Sequence, residues 1–306
     1  MEAQFEVHDR AFRRLVPEGQ TVERIAAGFA FTEGPVWNGD HLLFSDIPNN
    51  RIVRWRQLPE GPEVTTFRCP SGFPLGTATR VAQMGSNGLT LDRQGRLLAC
   101  EHGNRRVSRT EPDGSVIALA DRWQGKRLNS PNDIVVRSDG AVYFTDPPYG
   151  LYQQTEGKEL DFQGVYRIDP DGSLHLVLDD FEKPNGLAFS PDEQTLYVDD
   201  TARRHVRAFD VAEDGSLSNG RVFAELQHSD EGGPDGMKID VESNVYCTGP
   251  GASWVFNVAG ALLGRIITPE RPANCAWGDA DWKTLFITAR PSVYRLRVAV
   301  PGIPVR

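Results

Sequence analysis

The chain has 306 residues, of which 39% are hydrophobic and 25% are charged, and it carries a net charge of −9. No basic run or stripe occurs, which argues against a nucleic acid or an anionic membrane as partner and favours a cation or a neutral small molecule. The 30 glycines and 21 prolines are spread along the chain, and this favours many short strands and turns over long helices.

The first residues, MEAQFEVHDRAFRRL, carry charges throughout and lack the apolar segment of a secretory signal. No stretch approaches the roughly 20 apolar residues of a membrane span. The cysteines form no C-x-x-C pair and no zinc-type spacing, so reduced, mostly buried thiols are expected at Cys69, Cys100, Cys247 and Cys275. We therefore expect a soluble cytoplasmic protein, whose oligomeric state the sequence does not indicate.

One pattern recurs along the chain: a polar residue, a small residue, an apolar run, a turn and a second apolar run. Its copies begin at Glu33, Asn87, Asn132, Asn185, Asp235 and Asn274, at spacings of 54, 45, 53, 50 and 39 residues. Most copies are followed by a third apolar run such as RIVRW or GVYRID. Antiparallel units of this length are typical of a β-propeller, so the six copies predict an all-β, six-bladed propeller with a central channel.

Residues 1–306 are predicted to form a single propeller domain, because no linker or low-complexity break interrupts the copies. The segment TVERIAAGFAF before Glu33 looks like the outer strand that closes the last blade against the first. A pair of β-sandwiches and a parallel β-helix are the alternatives. The long period and the two-strand hairpin within each copy make both less favourable.

The first residue of every copy carries a side-chain oxygen, and the first strands of propeller blades line the central channel. The six residues should therefore meet at one mouth of the channel. The second strand runs back antiparallel and should bring further polar residues to the same mouth. These are Asp46, Glu101 with His102, Asp146, and Asp199 with Asp200, whereas the fifth and sixth copies have Gly249 and Thr288 there.

Converging carboxylates repel one another and are costly to desolvate, and the first ring contains no Lys or Arg. A hard divalent cation would compensate them. Carboxylate and amide oxygens without Cys or His suit Ca²⁺ best, with Mg²⁺ or Mn²⁺ as substitutes and Zn²⁺ disfavoured as too soft. Any single Asn-Gly or Asp-Gly pair is also an ordinary turn former, so the prediction rests on the register that all copies share.

Five stretches, EGPVW, LNSPNDIVV, YFTDPPYG, PNGLAFSPDEQTLYV and PDGMKID, resemble the SMP-30/gluconolactonase/luciferin-regenerating-enzyme family. ACEHGNRRVSR, and RLNSPND followed by FTDPPYGL, resemble its bacterial gluconolactonase branch. The resemblance runs from Glu33 to Asp240 and weakens towards Arg297. It implies a six-bladed propeller with a divalent metal, usually Ca²⁺, at the channel mouth. The ligands it implies are Glu33, Asn132, Asn185 and Asp235.

The resemblance also implies hydrolysis of a sugar lactone such as glucono-1,5-lactone, with the cation polarising the carbonyl and a carboxylate activating water. The fifth-repeat aspartate, here Asp235, is the implied base. A metal-bound carboxylate is a weak base, so Asp146, Asp199 and Asp200 remain alternatives. No G-x-S-x-G motif occurs, and a serine nucleophile is therefore unsupported.

Substrate contacts are expected from polar residues in the motifs nearest the mouth, and Asn274 is expected to be structural. The candidates are Asn87, His102, Arg105, Asn129, Asp146 and Tyr149. Tyr149 opens a long connection, residues 150–163, that is a candidate lid. Two other functions stay open: an organophosphate or phosphoester hydrolase of the same propeller type, and a propeller that binds metal or a partner protein without catalysis.

Overall fold

The computed structural model describes residues 4–76 and 83–305. This part of the chain contains one short α-helix, α1 (Phe12–Leu15), one 3₁₀ helix (Tyr152–Gln154) and 25 β-strands. None of these helices is long and apolar enough to cross a membrane. The strands are β1 (Phe5–Val7), β2 (Glu23–Asn38), β3 (His41–Asp46), β4 (Arg51–Leu58), β5 (Gly61–Arg68), β6 (Ser86–Leu91), β7 (Leu97–Glu101), β8 (Arg106–Thr110), β9 (Val116–Ala120), β10 (Arg122–Trp123), β11 (Lys126–Arg127), β12 (Ile134–Val136), β13 (Val142–Asp146), β14 (Gln163–Ile168), β15 (Leu174–Phe181), β16 (Pro184–Phe189), β17 (Thr195–Asp200), β18 (His205–Val211), β19 (Leu217–Glu225), β20 (Met237–Ile239), β21 (Val245–Gly249), β22 (Ala252–Phe256), β23 (Leu262–Ile266), β24 (Asn274–Gly278) and β25 (Thr284–Arg297).

Antiparallel pairing groups these strands by copy. The second, third and fourth copies form four-stranded sheets, β6 to β9, β12 to β15 and β16 to β19. The fifth copy forms β20 to β23 and gains β1 at its outer edge, where Phe5 lies opposite Ile266. The last and first copies share a six-stranded sheet in the order β24-β25-β2-β3-β4-β5, and β10 and β11 form a small hairpin. The fold is an all-β propeller, as expected.

The expected count of six blades is not observed as six separate sheets. In the described ranges the strands form five blade-sized sheets. The reason is the 16-residue strand β2, which pairs with β25 through Arg24 and Tyr294 and with β3 through Trp37 and Leu42. Because this strand is continuous, hydrogen bonding joins the last copy to the first. The segment before Glu33 does lie against the last copy, as its sequence indicated.

The second strand of each copy is buried along most of its length, because neighbouring sheets cover both of its faces. All five residues of β13 and of β21 are buried. Large aromatic side chains fill the space between strands: Trp37 stacks on Phe286 at 5.3 Å between ring centroids, and Phe144 stacks on Tyr166 at 5.2 Å. This packing explains why these strands read as continuous apolar runs.

A glycine follows the first residue in four copies, at Gly34, Gly88, Gly186 and Gly236. A Cβ on Gly186 would lie 2.1 Å from the carbonyl oxygen of Asp235. Of the four, Gly34 has a left-handed backbone, with φ of 53°, whereas the others lie at negative φ or in extended backbone. Close approach between neighbouring first strands therefore accounts for most of these glycines, and it brings the first residues of successive copies together.

We expect the substitution Gly186→Ala to lower the free energy of unfolding by about 3 kcal/mol, because the added Cβ must displace backbone rather than a flexible side chain. Gly172→Ala is the matched control. A Cβ there meets nothing within 4 Å, and its φ of 88° predicts a loss of about 1 kcal/mol. Urea unfolding measures both. Equal losses at the two sites would contradict the close-approach explanation.

The other end of the channel is mostly apolar and is closed by the C-terminal segment. Ile303 and Val305 line a cavity of about 100 Å³ together with Val36, Ile134 and other apolar residues of the first strands. Gly302 anchors the segment, since it bridges to Asp240. The ring of polar first residues therefore lies at the opposite end of the channel, at its mouth.

Candidate functional site

The first residues of the six copies form a ring at the mouth, and half of this ring is a chain of hydrogen-bonded side-chain amides. Asn87 Nδ2 donates to Asn132 Oδ1 at 2.7 Å, and Asn132 Nδ2 donates to Asn185 Oδ1 at 2.5 Å. Asn185 Nδ2 then donates to the hydroxyl of Thr201 at 3.1 Å. These residues come from three different sheets, so the hydrogen bonds place three copies side by side around the mouth.

The other half of the ring contains the two carboxylic acids. Glu33 Oε2 accepts hydrogen bonds from Asn274 Nδ2 at 2.9 Å and from the backbone of Gly34 at 2.6 Å. Asp235 is the member of this half that adjoins the amides, and its carboxyl interacts with both Glu33 and Asn185. The structure thus brings together the six residues that begin the copies.

The electrostatics of this ring disfavour ionised carboxylates. Burial raises the pKa of Glu33 well above its usual range, and the charge of Asp235 adds to the effect. Desolvation also raises the pKa of Asp235 to about 7, while the guanidinium of Arg271 opposes the shift. The positive charge of Arg271 does not outweigh desolvation at Asp235, so ionisation of both acids is unfavourable without a further cation.

Two further buried carboxylates stand behind the ring, at Asp133 and Asp199. One oxygen of each, Asp133 Oδ2 and Asp199 Oδ1, is buried and has no hydrogen-bond partner among the described residues. Burial raises the pKa of both, and the ammonium of Lys238 opposes the shift at Asp133. From the sequence, Asp199 is expected only among the acids near the ends of the second strands, the outer acidic ring of Asp46, Glu101, Asp146, Asp199 and Asp200, and Asp133 is not expected at the site. The signal for Asp133 was available, because it stands where four other copies have glycine.

The donor set fits a hard divalent cation. No group of three or more His, Cys, Asp or Glu suited to a metal occurs within residues 4–76 and 83–305, so a site here must include amide oxygens. Glu33 and Asp235 offer carboxylate oxygens, and Asn132 and Asn185 offer amide oxygens beside them. An oxygen-only set of this kind is typical of Ca²⁺. A cation held there would favour the ionised forms of the carboxyls of Asp133 and Asp199 behind the ring, whose pKa values burial raises.

Most acids of the outer acidic ring accept hydrogen bonds that stabilise the neighbouring backbone. In three copies the aspartate that ends the second strand accepts hydrogen bonds from backbone N–H groups that lead into the first strand. The pairs are Asp46 with Ala30 and Phe31 at 3.0 and 3.3 Å, Asp146 with Asn129 at 2.7 Å, and Asp200 with Glu182 and Lys183 at 2.8 and 3.1 Å. Glu101 instead accepts from Ser108 and Arg106.

Three of the expected substrate-binding residues border the amide half of the ring. Asn87 belongs to it, and His102 Nε2 lies 3.3 Å from Asn132 Oδ1. Burial lowers the pKa of His102 to about 4, so its imidazole is neutral at neutral pH. The hydroxyl of Tyr149 is buried beside the side chains of Asn185 and Thr201.

The other three, Arg105, Asn129 and Asp146, hold the long connection in place. Arg105 Nε donates to the carbonyl of Leu128 at 2.6 Å, and its NH1 donates to the carbonyl of Gly157 at 2.7 Å. Asn129 Nδ2 donates to the carbonyls of Asp146 and Phe162 at 3.0 and 2.9 Å. Their contact with substrate stays a prediction, as does the role of residues 150–163 as a lid.

Comparison with known proteins agrees with the motifs. Residues 31–290 match the family described as SMP-30/Gluconolactonase/LRE-like region. A gluconolactonase of Zymomonas mobilis is 38% identical over 299 residues, which cover 92% of this chain and 82% of that protein. The pentonolactonase XacC of Haloferax volcanii is 30% identical over 304 residues, covering 89% of this chain and 92% of its own.

A solved structure from Xanthomonas campestris, described as a gluconolactonase important in glucose secondary metabolic pathways, superposes with a TM-score of 0.84 at 35% identity. The superposition covers 97% of this chain and 95% of the Xanthomonas chain. Sequence and fold therefore agree over the segment that contains all six copies. The chain belongs to the SMP-30/gluconolactonase/LRE-like family.

Proposed function

We propose that the chain is a gluconolactonase-like lactone hydrolase and that glucono-1,5-lactone is its substrate, with gluconate as product. One observation carries the proposal. Glu33, Asn132, Asn185 and Asp235 meet at one channel mouth in a chain that is 38% identical to a gluconolactonase. The neutral and polar groups around them suit the hydroxyls of a sugar better than an apolar ester.

The same four residues are proposed to hold a divalent cation, with Ca²⁺ first and Mg²⁺, Mn²⁺ or Zn²⁺ as alternatives. When bound there, a divalent cation acts as a Lewis acid towards the lactone carbonyl and stabilises the oxyanion. Glu33 and Asp235 contribute negative charge, whereas Asn132 and Asn185 contribute oxygen atoms without adding repulsion. Asn274 positions Glu33 through the hydrogen bond between their side chains.

Asp235 is proposed as the general base, since its side chain is partly exposed at the mouth and one carboxylate oxygen could accept the proton while the other faces the cation. It accepts a proton from the water that attacks the lactone carbonyl carbon. The bond from that carbon to the ring oxygen then breaks, and the proton passes to the ring oxygen, which leaves as an alcohol. The carboxyls of Asp146 and Asp200 accept backbone hydrogen bonds, which leaves Asp199 as the nearer rival.

Asn87, His102 and Tyr149 are proposed to contact the sugar hydroxyls. A neutral imidazole offers one donor and one acceptor, which suits a hydroxyl group. Arg105, Asn129 and Asp146 are proposed to act one step away, by holding the connection that borders His102. A cavity of about 340 Å³ lies between His102, Arg105 and Tyr152 of that connection, next to the ring.

The six-stranded sheet is proposed to comprise two blades, which would give the propeller six units. Strand β25 turns back at Arg290, where φ is 54°. Beyond that corner, the backbone of Val298 donates to the carbonyl of Lys283 at 2.9 Å, and Arg297 donates to Thr284. The two halves of β25 with the first half of β2 and β24 would form one blade, and the rest of β2 with β3 to β5 the other.

The test of the proposed function is a pH-indicator assay of glucono-1,5-lactone opening. Protein stripped of metal is compared with protein given Ca²⁺, Mg²⁺, Mn²⁺ or Zn²⁺, and each rate is corrected for spontaneous opening in the same buffer. Hydrolysis that returns with a divalent cation supports the proposal. A rate no higher than the buffer blank with every cation would overturn it for this substrate.

A further inference from the structure

Two arginines that the proposed mechanism does not use flank the mouth. Arg271 lies in the connection before β24, and its side chain runs along the backbone of Gly232, which precedes Asp235 by three residues. A Cβ on Gly232 would lie 3.3 Å from Arg271 Cδ and 3.4 Å from its NH1. Arg271 is therefore held beside the carboxyl half of the ring.

Arg290 approaches the same half from the other side. It occupies the corner of β25 and lies opposite Thr32, the residue before Glu33. Its guanidinium carbon stands 5.5 Å from the centroid of the Phe31 ring, and its side chain is exposed. The two arginines thus border the mouth next to Asp235 and Glu33 respectively.

The two guanidinium groups are close enough to repel each other. Arg290 is one cause of a lowered pKa at Arg271, after desolvation, while Asp235 and Glu231 act in the opposite direction. Neither guanidinium has a hydrogen bond or an ion pair within residues 4–76 and 83–305. Elsewhere in this chain most arginines have carboxylate or carbonyl partners, as Arg105, Arg265 and Arg297 do. Two neighbouring guanidinium groups with unused hydrogen-bond donors favour the binding of an anion from solution.

We propose that Arg271 and Arg290 form an anion subsite on the rim of the mouth, which binds the carboxylate or phosphate of a negatively charged sugar-acid ligand. This inference deepens the proposed function and rests on it for the identity of the ligand. Two ligands share the required chemistry. One is the aldonate product, whose carboxylate is created by the reaction, and the other is a lactone that carries an anionic substituent.

The experiment compares wild type with Arg271→Gln, Arg290→Gln and the double variant, and uses Arg271→Lys to keep the charge. Arg221→Gln, in the outer strand β19, is the control. Binding of gluconate, 6-phosphogluconate and the neutral polyol glucitol to each protein is measured by calorimetry at two salt concentrations. We expect each Gln variant to bind the two anions about tenfold more weakly, relative to glucitol, because a hydrogen bond to a charged group is lost. Arg271→Lys should restore part of the lost affinity.

Kinetics separate the two sources of the anion. If the subsite takes a substituent, the ratio of kcat/KM for 6-phosphoglucono-1,5-lactone to that for glucono-1,5-lactone falls about tenfold in the Gln variants. If it takes the product, this ratio is unchanged and the inhibition constant of gluconate rises instead. If the double variant binds the anions as tightly as wild type does, relative to glucitol, the proposal is overturned. The arginines would then serve only to offset the negative charge of Asp235.

The binding measurement also separates this inference from the proposed function. Wild type that hydrolyses no lactone, yet binds gluconate in a way that depends on Arg271, would overturn lactone hydrolysis and keep the anion subsite. If wild type hydrolyses lactone but its anion binding does not depend on either arginine, lactone hydrolysis is kept and the anion subsite is overturned.

Discussion

Replacement of Asp235 by Asn is expected to lower kcat/KM for glucono-1,5-lactone by about a thousandfold, because it removes the proposed general base and one anionic ligand together. Loss of fold is not expected to contribute. The pKa of this carboxyl is raised to about 7, so its ionised form is disfavoured in the folded chain, and a neutral amide of the same shape relieves that cost. Thermal unfolding of the metal-free variant at pH 8 should therefore show a Tm no lower than that of wild type.

The matched control for this variant is Asp121→Asn, which makes the same chemical change at an exposed position. Its activity and Tm should both equal those of wild type. The parallel variant Asp199→Asn tests the rival base behind the ring. An Asp235→Asn protein that keeps more than about a tenth of the wild-type kcat/KM would show that another group takes the proton.

Removal of divalent cations by a chelator is expected to abolish hydrolysis and to lower the Tm by about 5 °C at pH 8. The shift corresponds to about 2.7 kcal/mol, the stabilisation given by a ligand at a hundred times its Kd. At pH 5 the shift should be much smaller. With a pKa of about 7 the carboxyl of Asp235 is largely protonated there, and the pKa of Glu33 is shifted in the same direction, so the pair binds a cation poorly.

The sign of this pH dependence follows from linkage. A carboxyl whose pKa is higher in the folded than in the unfolded chain costs stability as pH rises from its unfolded value, about 4, to its folded value. For Asp235 that window ends near pH 7. Metal-free protein should therefore lose stability across this range, and a cation should restore it only where the carboxyls are ionised.

The double variant Glu33→Gln, Asp235→Asn is the control for the chelator experiment. It keeps the shape of both side chains and removes both charges, so the chelator should leave its Tm unchanged at pH 5 and at pH 8. Circular dichroism establishes that the variant is folded. A chelator effect of equal size at both pH values, or one that persists in the double variant, would contradict a cation held by these carboxyls.

Much of the candidate site could be predicted because it repeats. Glu33, Asn87, Asn132, Asn185, Asp235 and Asn274 hold equivalent positions in successive copies, and equivalence is visible in a single sequence without any knowledge of contacts. The propeller fold followed from the same period. The resemblance of the motifs to a known family was confirmed over residues 31–290.

The outer acidic ring was harder to interpret, because position along a strand does not reveal what a side chain bonds. Asp146 is the last residue of β13, whereas Asp199 is the last but one of β17. The backbone of Asn129 donates to Asp146, whereas Asp199 lies behind Asp235, whose charge helps to raise the pKa of Asp199. The difference is one residue of register. Asp200, the next residue along the strand, is the one that accepts the backbone hydrogen bond from Glu182.

The sequence by itself therefore determined the repeat, the all-β propeller and the six oxygen-bearing residues at one mouth, because each is a local and periodic property of the chain. Tertiary structure alone decided which strands share a sheet, which buried acids lie behind the ring, and which arginines lie beside it. These depend on pairs far apart in sequence, such as Asn274 with Glu33, which are 241 residues apart, and β2 with β25. No local pattern encodes such pairs, since they form only when the last copy closes against the first.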